Sequence, residues 1–494
     1  MATRYARLVL GRAATAAACA GLLLAAAGCG RGQPAPIPAT VPVAAPALDA
    51  WPTYGADLAS TAAEVTAAAS GADAAVSLNL DWTAPADGAV TGEPVVAGDR
   101  AYFGTWGDSV YCVDRLTGAV IWRTPLGAAH PDGPYGPFPR IQNSPVLDGG
   151  RVFVAESQGR LDALDAATGR ILWRSAPLYG ALVPNVLRSA PRAYAGVLYV
   201  GIGGLGDLPL EWGGVAAINE ESGKALWVRR LADYQGGGAA VYGTPALWPE
   251  AGLLFVATGN PVITSPQHGA AYSDCIVALR LADGTVAWSY QTHADDMHDL
   301  DFIAAPNAFR LADGRVLVGA GEKDANYYAV DARTGALVWQ RHLGRWLAHT
   351  FILATAASGD GLLYLGTEDV SALTKVWPVN YAKPATGRML ALDPATGRVV
   401  WSRALGAALP IPPAVVGQDV FVLDAVGGVH VLDARTGATR WHGSVGGRVL
   451  NASAGVTVVG DTLLLPLSAP ASVVGLHITW TSSLARAPAS SASP

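Results

Sequence analysis

Charged residues are scarce in this chain: Asp, Glu, Lys and Arg together make up only 15% of its 494 residues. So low a charge content argues against a disordered chain and against a coiled coil, because both depend on abundant polar residues. The net charge is −6 and no basic cluster is present, which argues against nucleic acid as a partner. The composition therefore indicates a globular protein.

Cysteine is also rare, with four residues in the whole chain. Cys19 and Cys29 lie near the N-terminus, whereas Cys112 and Cys275 are far apart in apolar stretches, where we expect unpaired core residues. The motif C-x-x-C-H does not occur, so we expect no covalently bound haem.

The N-terminus predicts export from the cytoplasm. Basic residues in "MATRYARLVLGR" precede the apolar run "AATAAACAGLLLAAAG", which is the order found in secretory signals. Because "LLLAAAGC" resembles a lipoprotein signal, we predict a signal peptide at 1–28 and a lipid on Cys29. An ordinary cleaved signal and an uncleaved anchor are the alternatives. A Pro/Ala-rich tether at 29–50 and a disordered tail at 481–494 complete the prediction of an extracytoplasmic protein held to the cell envelope only by lipid.

Glycine and tryptophan are abundant, with 58 and 15 residues, and they recur in a fixed pattern. Seven tryptophans follow a glycine by four positions, and an aspartate stands eight positions before five of them, with Asn219 and Arg280 in the other two repeats. These tryptophans are Trp122, Trp173, Trp227, Trp288, Trp339, Trp401 and Trp441. The pattern predicts a hairpin whose turn glycine has a positive φ and whose tryptophan packs against a neighbouring sheet.

The spacing of the repeats predicts the architecture. Intervals of 40 to 62 residues between the tryptophans are typical of propeller blades, which must stack in a closed ring to bury both faces of each sheet. Trp82 gives an eighth position, and the C-terminal stretch "VVGLHITW" can pair with this N-terminal segment. We therefore predict an all-β fold, an eight-bladed β-propeller over 51–480, with seven blades as the alternative.

The repeat "AxDxxTGxxxW" resembles the pyrroloquinoline quinone (PQQ) type of propeller. This family includes quinoprotein alcohol dehydrogenases, polyvinyl-alcohol dehydrogenase and a non-catalytic lipoprotein of the outer-membrane assembly machinery. The stretch "WPTYGADLAS" is similar to the usual start of the dehydrogenase branch. The resemblance implies the fold, but it leaves the function to be argued from the loops.

Two loops are similar to the cofactor loops of the dehydrogenases. "ATGNP" supplies Asn260, and "WSYQTHADDMHDLDF" matches the family loop without gaps from Trp288 onward. The resemblance implies that Asp299 is the catalytic base, and that Asn260, Asp299 and Asp301 hold calcium or a lanthanide beside PQQ. The other interpretation is a solvated connection between blades, because aspartate is common in turns.

Further matches imply contacts to the quinone and the metal. Lys323 takes the place of a cation near the quinone oxygens, although a structural salt bridge is an equal alternative. Tyr242 takes the place of a ring stacked on PQQ, with ordinary packing as the alternative. Glu211 or Asp207 matches the metal-binding acid of the third blade.

An arginine beside the quinone corresponds to Arg140 or to Arg188. The chain departs from the family at His298, where a tryptophan is usual, and in lacking the adjacent cysteine pair of the methanol-type enzymes. We interpret His293 and His298 as surface loop residues.

Two functions remain open. The first is a metal-assisted, PQQ-dependent oxidoreductase that oxidises an alcohol or a sugar and passes electrons to a separate acceptor. The second is a non-catalytic scaffold that binds envelope proteins, as the assembly-machinery propeller does.

Overall fold

The described part of the chain forms eight blades, each with four antiparallel strands, A to D, counted outward from the hub, and two of these sheets gain a short fifth strand from the N-terminal segment. The structure is a computed structural model, and the residues described are 50–64, 75–127, 130–133, 136–138, 141–178, 186–204, 212–232, 238–261, 271–294, 299–344, 348–371, 385–449 and 454–481. The predicted signal peptide, most of the tether, Cys29 and nearly all of the tail lie outside them. The prediction of eight blades is confirmed, and the seven-blade alternative is wrong.

The strands of the eight blades have the following bounds, in blade order. Strands A are Val95–Ala97, Val146–Asp148, Arg192–Tyr194, Ala246–Trp248, Asn307–Arg310, Ala357–Gly359, Ala414–Val416 and Thr457–Val459. Strands B are Arg100–Gly104, Arg151–Glu156, Val197–Ile202, Leu253–Ala257, Val316–Gly321, Leu362–Gly366, Asp419–Leu423 and Thr462–Ser468. Strands C are Ser109–Asp114, Arg160–Asp165, Gly214–Asn219, Cys275–Arg280, Asn326–Asp331, Arg388–Leu392, Gly428–Asp433 and Ala471–Thr481. Strands D are Val120–Pro125, Ile171–Arg174, Ala225–Arg230, Val286–Gln291, Leu337–His342, Val399–Ala404, Thr439–Ser444 and Ala75–Pro85.

A few short elements lie outside this scheme. They are the N-terminal strands Ala50–Trp51 and Ala63–Glu64, the paired strands His130–Gly133 and Gly136–Phe138, the paired strands Ala348–Phe351 and Glu368–Ser371, and the 3₁₀ turn Pro249–Ala251. Within the described ranges, no helix is long and apolar enough to cross a membrane.

Burial along the strands follows from their place between blades. Strands B and C are buried along almost their whole length, as in Leu253–Ala257, because a neighbouring blade covers each face. Strand D is at the rim, and in Val286–Gln291 buried and exposed side chains alternate. Long apolar runs therefore mark the middle strands, and alternation marks the outer one. Cys112 and Cys275 are free and buried, as predicted.

Adjacent blades are joined by a tryptophan that lies on a glycine of the next blade. A Cβ added to the turn glycine would lie only 2.4–2.6 Å from the tryptophan ring at seven junctions. The pairs are Trp82–Gly118, Trp122–Gly169, Trp173–Gly223, Trp227–Gly284, Trp288–Gly335, Trp339–Gly397 and Trp401–Gly437. Each indole Nε1 also donates to the carbonyl three residues before that glycine, at 2.8–3.1 Å. The predicted positive φ is confirmed, for example +72° at Gly335.

The turn aspartate holds the loop that presents the glycine. Asp331 Oδ1 accepts hydrogen bonds from the N–H groups of Arg333 and Thr334 and from the Thr334 hydroxyl. Asn219 does the same for Ser222, which explains why asparagine replaces aspartate there. The turn is thus stabilised by local side-chain bonds that do not depend on the rest of the blade.

A second aromatic residue lies beside each of six blade tryptophans, and sequence analysis missed it. The ring centroids are 5.6–6.0 Å apart. The pairs are Tyr102–Trp122, Phe153–Trp173, Tyr199–Trp227, Phe255–Trp288, Tyr327–Trp339 and Tyr364–Trp401. Five of the partners come from strand B, in stretches such as "LLFVA", which was a readable signal.

The ring closes through a blade built from both ends of the described chain. Ala75–Pro85 is the outer strand of blade 8 and pairs antiparallel with Ala471–Thr481. This confirms the expected pairing. Trp82 has no glycine turn before it because no hairpin joins its strand to strand C of the same blade. The N-terminal strand belongs to the last blade, yet its tryptophan lies on blade 1.

An N-terminal segment, residues 50–64, runs around the hub along the inner strands. It pairs with strand A of blade 1 at one end and with strand A of blade 7 at the other. Between these ends its backbone carbonyls accept hydrogen bonds from blade after blade: Pro52 from Leu147, Leu58 from Leu247, Ala59 from Ala308, Thr61 from Ser358 and Ala62 from Val415. In blade 3 the contact is made by the fully buried Arg192, which donates to Thr53, Tyr54, Asp57 and Ser60.

Glu93 attaches the start of this segment to blade 1. Its carboxylate accepts from Trp51 Nε1 and, at 3.0 Å, from the Gly55 N–H. Burial raises the pKa of Glu93 to about 8, although these donors and Arg192 oppose the shift. The carboxyl group therefore serves to hold the hub together.

Substituting alanine for the turn glycines tests the tryptophan contact. Gly335→Ala should lower the free energy of unfolding by about 3 kcal/mol, because the methyl group collides with Trp288 and the φ of +72° is strained. Gly314→Ala is the matched control in the same blade, with φ +87° and nothing within 4 Å, and it should cost only about 1 kcal/mol. Equal losses in chemical denaturation would show that the ring contact adds nothing.

Glu93→Gln tests the hub carboxyl through pH. The pKa of about 8 lies above the ordinary value of 4.5, so the folded protein binds an extra proton between these pH values. The stability that this proton provides is present below pH 4.5 and is lost as pH rises to 8. The free energy of unfolding of Glu93→Gln should therefore equal that of the wild type near pH 5. Above that pH the difference in favour of the variant should grow by about 1.4 kcal/mol per pH unit up to pH 8. A constant difference in free energy of unfolding across that range would contradict this assignment.

Candidate functional site

The predicted site residues lie in three connections of blades 4 and 5. Asn260 follows strand B of blade 4, Asp299 and Asp301 lie between blades 4 and 5, and Lys323 follows strand B of blade 5. Because the strands of a blade alternate in direction, B–C and D–A connections emerge at the same end of the ring. The fold therefore brings side chains that are up to 63 positions apart in sequence to one place.

Lys323 is the centre of this group. Its Nζ lies 2.6 Å from Asp299 Oδ1 and 2.5 Å from Asp301 Oδ1. The Lys323 and Asp301 side chains are 9% and 1% exposed, whereas that of Asp299 is 43% exposed. The neighbouring carboxylates raise the pKa of Lys323 to about 12 against the opposing effect of burial. The ammonium group is therefore charged at neutral pH.

Asp299 is held by a second contact and by its backbone. Asn260 Nδ2 donates to Asp299 Oδ1 at 2.9 Å, so Asn260 and Lys323 both contact the same carboxylate oxygen. Its φ is +60°, a left-handed conformation that aspartate tolerates better than most residues. The strained backbone aims a partly exposed carboxylate at the buried Lys323.

Gly259 allows an aromatic ring to lie close to the carboxylate group. A Cβ on Gly259 would lie 2.8 Å from Asp301 Oδ2 and 3.2 Å from the Tyr242 ring, so no side chain fits between them. The Arg188 guanidinium lies 5.5 Å from the centroid of the Tyr242 ring. Arg188 thus contacts Tyr242, Lys323 contacts Asp301, and the backbone of Gly259 lies between these two pairs.

The charges of the group do not cancel. Two carboxylates face one ammonium, which leaves a net charge of −1 on Asp299, Asp301 and Lys323. Such a surplus in a partly buried position attracts a cation, because the surroundings screen charge less than water does. Carboxylate and amide oxygens are the donors that calcium and lanthanides prefer.

The structure brings together four of the predicted residues, Asn260, Asp299, Asp301 and Lys323, with Tyr242 beside them. Arg140, Glu211, Asp207 and His298 lie outside the described residues, so their roles stay predictions. Of the two candidate arginines, Arg188 lies beside the Tyr242 ring.

A second cluster lies on the same two connections. His293 Nε2 is 3.2 Å from Asp324 Oδ2 and 3.4 Å from Glu322 Oε2. These carboxylates raise the pKa of His293 to about 9, whereas burial raises that of Glu322 to about 7. His293 is therefore not the simple surface residue that we expected. Glu322 and Asp324 were missed, although their alternation around Lys323 in "GEKDAN" was a signal.

Comparison with known proteins places the chain in a family. A family profile of the PQQ type, described as "Outer membrane protein assembly factor BamB", matches residues 62–270, 106–326 and 323–493. The chain belongs to the PQQ-repeat propeller family. The matched ranges together span all eight blades of the ring.

Individual relatives fall on both branches of this family. The chain is 26% identical over 380 residues to a polyvinylalcohol dehydrogenase of Sphingopyxis sp. (strain 113P3), covering 66% of this chain and 54% of that protein. It is 24% identical over 331 residues to an outer membrane protein assembly factor of Moranella endobia (strain PCIT), covering 66% and 71%. The chain thus spans about half the length of the dehydrogenase relative.

A solved structure supports the fold of the family. A quinohemoprotein alcohol dehydrogenase from Pseudomonas putida HK5 superposes with a TM-score of 0.73 at 18% identity, covering 87% of this chain and 80% of that one. At this identity the likeness concerns the fold, and the chemistry has to be argued from the residues.

Amine labelling tests the environment of Lys323. Acetic anhydride should modify Lys323 at least tenfold more slowly than the exposed Lys224, because the Lys323 side chain is shielded from the reagent and its two ion pairs keep the amine protonated. Asp299→Asn combined with Asp301→Asn should remove most of this difference. Peptide mass spectrometry gives both rates in one sample, and equal labelling in the wild type would contradict the geometry.

Proposed function

We propose that the chain is a PQQ-dependent oxidoreductase of the alcohol dehydrogenase type that uses calcium or a lanthanide ion and acts on an alcohol or a sugar. The observation that carries this proposal is the convergence of Asn260, Asp299, Asp301 and Lys323 from three separate connections. The dehydrogenase relative supports an alcohol as the substrate.

The donor set fits a hard cation. Asn260, Asp299 and Asp301 supply one amide and two carboxylates, and their net charge with Lys323 favours a multivalent ion. The 2.9 Å between the amide and the Asp299 carboxylate suits two oxygens that share one ion, once the amide presents its oxygen. Glu211 remains the predicted additional ligand.

The surroundings also fit a flat, anionic quinone. Tyr242 offers an aromatic ring, and Arg188 and Lys323 offer positive charge for carboxylates and quinone oxygens. When bound, PQQ supplies the two-electron acceptor for a hydride. Arg140 stays a predicted cofactor contact.

Asp299 is the residue placed to move a proton. It is partly exposed, whereas Asp301 is buried, so an alcohol arriving from solvent meets Asp299 first. Lys323 and Asn260 both contact Oδ1, which leaves Oδ2 as the oxygen to accept the hydroxyl proton. Lys323 holds the carboxylate in place through the 2.6 Å contact with Oδ1.

The cellular setting belongs to the same proposal. A lipid on Cys29 would hold the propeller at the envelope, outside the cytoplasm. Electrons would pass from the reduced quinone to a separate acceptor.

Reconstitution tests the proposal directly. Purified protein should bind PQQ together with Ca²⁺ or La³⁺ and should reduce a dye in the presence of a primary alcohol or a sugar. Asp299→Ala should lower the rate at least 100-fold, because the base is lost, whereas Asp283→Ala, on the exposed turn of blade 4, should leave the rate unchanged. Luminescence of bound Tb³⁺, excited through nearby aromatic rings, reports metal binding separately and should be lost in Asp301→Asn.

A non-catalytic scaffold is the second candidate. The ion pairs of Lys323 already satisfy much of the charge of both aspartates, as a structural contact would, and the assembly-factor relative is matched over 71% of its length. Absence of PQQ and Tb³⁺ binding, together with a loss of stability in Asp299→Ala, would favour this candidate over the enzyme.

A further inference from the structure

A cluster formed by His293, Glu322 and Asp324 lies beside the candidate cofactor site and takes no part in the chemistry proposed above. His293 comes from the connection that also carries Asp299, and the two acids flank Lys323 in the next turn. One ligand atom from each of the three side chains lies within 4.8 Å of the others. Imidazole and carboxylate together form a typical donor set for first-row transition metals.

The distances in the cluster are those between ligands of one ion. His293 Nε2 lies 3.2 Å from Asp324 Oδ2, which is a hydrogen bond longer than the usual length of about 2.7–2.9 Å for charge-assisted ones, and 3.4 Å from Glu322 Oε2. Two ligands of a tetrahedral Zn²⁺, each about 2.0–2.1 Å from the metal, are about 3.3–3.4 Å apart. The observed spacing agrees with the second geometry.

Glu322 provides a separate indication of a ligand. The residue is fully buried, and its Oε1 accepts a hydrogen bond from the Thr292 hydroxyl at 2.6 Å. Its Oε2 is also buried, faces His293 and accepts no hydrogen bond from the described part of the chain. At neutral pH this oxygen faces the protonated His293 ring, and a bound cation would take the place of that proton between the two side chains.

Surrounding residues fix the ligands in place. Asp324 Oδ1 accepts from the Asn326 N–H at 2.7 Å, and Oδ2 accepts from the Tyr328 hydroxyl at 2.9 Å and from the Asn326 side chain. Such outer contacts orient the ligands of metal sites. The His293 side chain is 30% exposed, so an ion can reach the cluster from solvent.

We propose that His293, Glu322 and Asp324 bind a divalent transition metal of the zinc type, and that this ion joins the connection carrying Asp299 to the turn carrying Lys323. The site is distinct from the oxygen-only site of Asn260, Asp299 and Asp301, because imidazole favours zinc-type ions whereas calcium and lanthanides favour oxygen. Its role is to position Lys323, and it does not depend on PQQ.

The test uses the full chain without an oligohistidine tag. Zn²⁺ titrated by calorimetry should bind at one site per chain with a Kd below about 10 µM, and Co²⁺ should give the visible absorption of a four-coordinate ion. His293→Gln and Asp324→Asn should each weaken Zn²⁺ binding at least 100-fold. His430→Gln is the matched control, because His430 lies 3.1 Å from Asp424 outside the cluster, and it should leave binding unchanged.

Several outcomes would overturn the site. They are Zn²⁺ binding weaker than about 1 mM, an affinity that His293→Gln leaves unaltered, or an equal loss in His430→Gln. If His293→Gln does not fold, Asp324→Asn and the Co²⁺ spectrum decide the question. Asp301→Asn should retain Zn²⁺ and lose Tb³⁺, so failure of the cofactor proposal and failure of the zinc proposal give different results.

Discussion

The contact between a tryptophan and the glycine turn of the next blade is the constraint on which the ring depends. A four-stranded blade cannot bury both of its faces alone, so each blade needs a neighbour at a defined angle. The indole supplies apolar area and one directed hydrogen bond. Because the glycine has no Cβ, the indole can lie directly on the turn. Repetition of this contact at seven junctions sets the geometry that brings distant loops together at one end.

Most of the fold could be predicted because the residues that define each blade lie close together in the sequence and recur along the chain. The turn aspartate, the glycine and the tryptophan lie within nine positions, so their spacing survives in the sequence without knowledge of the tertiary structure. The aromatic partner in strand B was missed because its distance from the tryptophan varies with loop length. The path of residues 50–64 was also unpredicted, since one segment that contacts seven blades leaves no periodic signal.

The candidate site was predicted only in part, and the division has a physical reason. Asp299 and Asp301 stand at fixed positions after Trp288, and Asn260 follows a recognisable strand, so the resemblance of these two loops to the family loops was sufficient to name them. The pairing of Lys323 with both aspartates, and of His293 with Glu322 and Asp324, depends on how two blades meet. In the turn that follows strand B of blade 5, Lys323 belongs to one cluster, and its two neighbours Glu322 and Asp324 belong to the other. This division could be seen only in the structure.

The N-terminal segment has a consequence for how this ring can evolve. Its residues 50–64 meet the inner strands of blades 1 to 7 in order, so its length matches the circumference of an eight-membered ring. Duplication or deletion of one repeat would leave residues 50–64 too short or too long for the ring, and some of their carbonyls would then face no hydrogen-bond donor. The segment thereby limits the number of blades, and a change in ring size would require a simultaneous change in residues 50–64.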